Sequence, residues 1–221
     1  MRNLIPVWAK MVALATVVSA TCTVGLADTV VYDNSTKRLG SSYSSTNEFG
    51  DQIKLSDSVN TKITSFEIDY YLNHGASGDE TARIFLYAND GAGGKPGSLL
   101  FDSISVANTI PLIRGYDHIL FQGLSVSVPQ SFTWTTKFGG VDSVEFAALL
   151  LSNPPTVGSS YDDYWEKVGG DWITKRSEVT PFNFSAQFSA VPEPTMLQYG
   201  FMAGLAWLGV WVQRRSSSKR S

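Results

Sequence analysis

The sequence predicts an all-β protein: an antiparallel β-sandwich, jelly-roll-like, flanked by an N-terminal signal peptide and a C-terminal transmembrane helix. Three observations predict it. Apolar and polar residues alternate over several short runs between positions 28 and 190, the two-residue period of a half-buried strand. Turn residues punctuate those runs, and nothing between them carries a helical period with caps. Uncharged apolar segments stand beside basic residues at both chain ends, whereas all 20 Asp and Glu fall between Asp28 and Glu193.

The first element is the export signal, residues 1–27. Arg2 and Lys10 precede the apolar run Met11 to Ala20, and the small residues Gly25 and Ala27 make a cleavage site before Asp28. Cys22 lies upstream of that site and follows Thr21 where lipid attachment would want a small Gly or Ala, so a lipoprotein is disfavoured. Cleavage after Ala27 leaves no cysteine, and the core must then stabilise the fold without disulfides.

Residues 28–190 are long enough for one domain and one sizeable core. Ile63 to Leu72 places Phe66, Ile68, Tyr70 and Leu72 on one face and Glu67, Asp69 and Tyr71 on the other. Thr81 to Ala88, Ser98 to Val106, Leu124 to Val128 and Glu145 to Ser152 are further strand candidates, with a flexible loop over Asn89 to Gly97. The clearest alternations are Phe132, Trp134, Thr136 and Phe138 in one run and Phe182, Phe184, Ala186 and Phe188 in another. Gly169-Gly170 joins Trp165 to Val168 with Asp171 to Lys175, a two-residue link free to adopt the positive φ of a tight hairpin. Short strands at close spacing imply a sandwich rather than alternating strand and helix units.

The last element spans 191–221. Val191-Pro192-Glu193-Pro194-Thr195 leads into Met196 to Val212, 17 uncharged residues that cover about 25 Å as a helix, near the lower limit for crossing a bilayer. Trp207, Trp211 and Tyr199 favour the headgroup layer, and Arg214 and Arg215 open a basic tail, 213–221, that resists translocation. Pro192 and Pro194 lack backbone donors and hold an extended geometry, which predicts a stiff, exposed segment ahead of the helix.

Charge excludes one class of partner. The exported part carries eleven Lys and Arg against twenty Asp and Glu, a net −9, so it offers no basic stripe to neutralise phosphates and nucleic-acid binding is disfavoured. Candidate chemistry is sparse. His74 and His118 have no His, Cys or carboxylate at zinc-ligand spacing, and a hydrolase would need one of them as base beside a Ser and an Asp. Calcium is the cation that Gly78-Asp79-Glu80, Asn89-Asp90 or Asp162-Asp163 would take, although none follows the regular calcium-loop spacing. Tyr161, Asp162, Asp163, Tyr164 and Trp165 combine aromatic faces with carboxylates, the composition of a sugar site, while core packing is the plainer account of Trp165 and Trp172. Gly200 and Gly204 have the spacing of close helix approach, and Asn34-Ser35-Thr36 and Asn183-Phe184-Ser185 fit a glycosylation sequon; chance accounts for both.

The ordered set of signal peptide, Val191-Pro192-Glu193-Pro194-Thr195, single apolar helix and Arg214-Arg215 resembles the PEP-CTERM proteins of Gram-negative bacteria, with Ser216 to Ser221 extending past the basic pair. The exported domain is also similar to sandwich domains of that family over Asn47 to Ile53, Gly78 to Arg83, Pro96 to Asp102 and Pro154 to Ser160. The resemblance implies sorting by a membrane-embedded exosortase that acts near Pro192, Glu193 and Pro194, and association with extracellular polysaccharide or biofilm. It implies no activity for the sandwich itself and no cofactor. The expectation is therefore a non-enzymatic surface or matrix protein, transiently anchored, with carbohydrate binding as the alternative and a hydrolase as a third reading.

Overall fold

Alternation resolves into fifteen strands in a computed structural model that describes residues 28–56, 60–73, 75–107, 110–176 and 183–192. In chain order they are β1 Thr29–Asp33, β2 Arg38–Tyr43, β3 Glu48–Lys54, β4 Asn60–Leu72, β5 Thr81–Ala88, β6 Leu99–Asp102, β7 Ile110–Pro111 and β8 Gly115–Phe121. There follow β9 Val126–Pro129, β10 Ser131–Gly139, β11 Ala147–Ser152, β12 Ser159–Ser160, β13 Asp163–Val168, β14 Asp171–Arg176 and β15 Ala186–Pro192. They form two antiparallel sheets, consistent with a β-sandwich. The seven-stranded sheet runs β1-β15-β4-β11-β2, with β8 and β9 also on β4. The eight-stranded sheet runs β14-β13-β3-β10-β5-β6, with β12 on β3 and β7 on β5.

Aromatic side chains from the facing sides make the core, since each removes a large apolar area from water. Phe188 of β15 lies 5.3 Å from Phe66 of β4 in its own sheet and 5.5 Å from Phe132 of β10 in the other. Phe66 also meets Phe101 of β6 at 5.7 Å, and Phe49 of β3 meets Phe184 at 5.5 Å, so ring pairs lock the two layers at several points. Phe66, Ile68, Tyr70 and Leu72 are buried on the inner face, as the alternation of β4 predicts. The Gly169-Gly170 hairpin also forms, with φ of +62° and +97°.

Four expectations meet a different outcome. The run 132–138 is not half-buried: Thr133 and Thr135 on its outer side are fully buried as well, because neighbouring strands carry bulky outward side chains over them. Ser98 to Val106 does not continue as a strand. Asp102 accepts a hydrogen bond from the Ile104 amide and starts a 3-10 turn over Ser103–Ser105, whose Ser103 hydroxyl in turn accepts from the Ile84 amide. The run that contains Phe184 becomes regular strand only at Ala186; Phe184 makes an isolated bridge to Leu151, and Phe182 lies outside the described residues. Finally, the strand that closes the sandwich reaches beyond residue 190. Val191 pairs with Lys62 and Pro192 with Thr61, so the proline segment begins inside β15 rather than after it.

Among the strands β1 pairs with β15, Thr29 opposite Ala190, and its last residue, Asp33, makes an isolated bridge to Val157. Both ends of the described chain therefore leave the same end of the sandwich. Residues 1–27, expected as the signal peptide, Glu193, Pro194, the apolar span 196–212 expected as the membrane helix, and Arg214 and Arg215 lie outside the described residues. Among the described residues no helix is long and apolar enough to cross a membrane.

Candidate functional site

The five residues of the expected sugar site do not converge. Successive strand residues point to opposite faces, and β13 obeys this rule. Tyr164 turns inward, 4.9 Å from Tyr43 and 5.8 Å from Phe184, where burial pushes its phenol well up from the usual range. Trp165 turns outward into a separate buried cluster with Phe85, Tyr87 and Trp172, and its indole N–H donates to Gln52. Lys167 covers Trp172 at 5.3 Å and Arg83 covers Phe85 at 4.8 Å, so the cluster is capped by cations. Only Tyr161, 48% exposed, stands free to stack on a ligand. Asp162 accepts from Asn183, and Asp163 faces Arg176 across the hairpin.

The other sequence candidates separate in the same way. Asp90 folds its own loop, accepting from the Ser98 amide at 2.7 Å and the Ser98 hydroxyl at 2.6 Å. Asp79 and Glu80 do gain a partner that sequence spacing hides: Glu145, from the loop before β11, brings a third carboxylate, and all three oxygens lie within 4.8 Å of one another. Such oxygens suit a hard cation. Loop amides already serve them, however: Glu80 accepts from Ser77 and Gly78, and Glu145 from Ser77 and Asp142. Burial raises the Glu80 carboxyl, and those donors outweigh it, holding it below its ordinary range. His74 lies outside the described residues. His118 sits opposite Asp69 across β4 and β8, and Ser185 donates to Asp69 at 2.6 Å. Ser185 is fully buried and its hydroxyl is aimed at the carboxylate, so these three make no nucleophile–base pair. Both sequon asparagines are buried, and Asn34 donates its amide to the carbonyls of Ser152 and Phe184.

A polar nest inside the core was not legible in the sequence. Asp51, opposite Trp134 on the inner face of β3, is fully buried. One of its oxygens accepts from the Ser160 hydroxyl at 2.9 Å and the Phe184 amide at 3.3 Å. The other oxygen, the Tyr32 hydroxyl and the Trp134 indole N–H have no hydrogen-bond partner among the described residues. Burial pushes the Asp51 carboxyl well above the usual range, against the pull of the Ser160 and Phe184 donors. Asp51 is thus held as the neutral acid far more readily than an exposed aspartate.

An exposed aromatic group lies on the outer face of the seven-stranded sheet, and sequence reasoning missed it. Tyr71 of β4 and Tyr116 of β8 are cross-strand partners with ring centroids 4.8 Å apart, and Phe146 lies 6.4 Å from Tyr71. Tyr116 is 73% exposed. A small cleft runs from Tyr116 past Leu150 to Gly40, Ser41, Ser42 and Arg38 of β2. Arg38 donates at 3.2 Å to the buried carboxylate of Asp69, which Ser185 also holds. The available signal was the outward half of each alternation, Tyr71 in β4 and Tyr116 in β8; their side-by-side placement depends on strand pairing that spacing does not reveal.

No protein-family model, curated protein or solved structure matches this chain. Fold and chemistry therefore rest on its own residues.

Proposed function

We propose that the chain is an exported, non-enzymatic protein of the cell envelope, a jelly-roll-type sandwich held at the membrane by its C-terminal segment and released or transferred by an exosortase. The supporting observation is continuity. β15 already contains Val191 and Pro192, with Pro192 paired to Thr61, and Glu193-Pro194 follow next in the sequence. A membrane helix starting at Met196 would then hold the sandwich within a few residues of the bilayer, with Glu193 and Pro194 as the short accessible stretch between the two. In this reading Pro192, Glu193 and Pro194 are recognised by another enzyme and catalyse nothing, while Arg214 and Arg215 keep the tail cytoplasmic.

Intact mass of the protein recovered from the envelope tests it. The expected chain begins at Asp28 and ends between Pro192 and Thr195, and deletion of 191–221 sends the sandwich into the medium unanchored. Recovery of the full tail with Arg214-Arg215 from cells that hold an active exosortase sinks the proposal.

A further inference from the structure

The outer face of the seven-stranded sheet has the makings of a ligand site. We propose that Tyr71, Tyr116, Phe146 and Arg38 bind a neutral pyranose polysaccharide laid along the cleft from Tyr116 to β2. This stands apart from the sorting proposal, because retention on a glycan is measured whatever the fate of the tail.

The chemistry comes from what the face offers. A pyranose ring presents C–H bonds on its faces and hydroxyls around its edge, so it is recognised by an aromatic plane with hydrogen-bonding groups beside it. Tyr71 and Tyr116, inclined at 43°, with Phe146 beside them, form such a shelf. Large aromatic rings are costly to leave in water, yet Tyr116 is 73% and Phe146 40% exposed. Neither tyrosine hydroxyl has a hydrogen-bond partner among the described residues, and each can donate or accept at a sugar edge. Beyond the rings, Gly40, Ser41 and Ser42 border a shallow cleft of about 70 Å³, which admits hydroxyl groups from a chain lying across the face. Arg38 is pre-oriented there: its side chain is 57% exposed, and Nη2 donates to Asp69, leaving the rest of the guanidinium fork for vicinal hydroxyls.

Competing occupants fit less well. A stable protein interface needs about 800 Å² per partner with an apolar centre, whereas here the rings are interspersed with Arg38, His118 and serines. An acidic glycan would meet an exported part of net charge −9, with Arg38 already matched by Asp69.

Affinity electrophoresis and pull-down of the full chain in mild detergent test the proposal, with dextran and cellulose as neutral polymers and alginate as the acidic one. Retention by a neutral polymer is expected, falling at least tenfold in Tyr116→Ala and in Arg38→Ala, and unchanged in Tyr161→Ala, which alters the exposed ring beside β13. If Tyr116→Ala lowers the thermal midpoint, Arg38→Ala alone decides. Failure of both neutral polymers to retain the protein, stronger retention on alginate, or retention that survives Arg38→Ala overturns it.

Discussion

Asp51 concentrates more unbalanced chemistry than any other described residue. An unpaired buried carboxyl oxygen carries a desolvation cost of about 1–3 kcal/mol, and here the neighbouring indole and phenol are unpaired too. Because the folded state raises this carboxyl, it binds the proton more tightly than the unfolded chain does. Its contribution to stability is complete below the ordinary carboxylate value of about 4 and is lost as pH rises through the raised folded value. Asp51→Asn keeps the shape and needs no proton. The variant should therefore be more stable than the parent at neutral pH, by about 1–3 kcal/mol, and the difference between the two thermal midpoints should grow from pH 4 upward before levelling. Equal midpoints across that range would show that Asp51 is ionised at no cost. None of this is legible in the sequence, where Asp51 stands between Gly50 and Gln52 like any surface aspartate.

At the scale of strands, the tightest constraint is where β3 meets β10. A Cβ added to Gly50 would lie 2.0 Å from the Trp134 carbonyl oxygen and 2.5 Å from the Thr135 Cα, and backbone cannot step aside as a flexible side chain can. Gly50→Ala must therefore push two central strands apart. A loss of about 3 kcal/mol or more is expected in urea denaturation, and a loss below 1 kcal/mol would show that the close approach relaxes. Strand existence was readable wherever large apolar residues alternate, as in β4, β5, β10 and the β13–β14 hairpin. It was not readable in β1, β2 and β3. β2, Arg-Leu-Gly-Ser-Ser-Tyr, lies at a sheet edge with its first four residues exposed, and β3 buries Glu48 and Asp51, so neither shows the apolar signature. The same limit hid the aromatic shelf: alternation marks which residues face outward, but the register of β8 on β4 decides which of them become neighbours.

For the molecule as a whole, strand order outweighs any single contact. β15 separates β1 from β4, and pairing continues through Pro192. Chains ended after Pro192 should keep the parental thermal midpoint, whereas chains ended before Ala186 should lose cooperative unfolding; circular dichroism melts of the two read this directly. Equal melts would mean that β15 adds nothing to the sheet. The arrangement also sets a timetable for biogenesis. The first strand to be synthesised has the last one as its strand partner, so that side of the sheet stays open until synthesis is nearly finished, with two bare edges that invite mispairing. A chain stalled late in synthesis is thus its own aggregation hazard, and a holdase that shields those edges would gain its client in the interval before the last strand is complete.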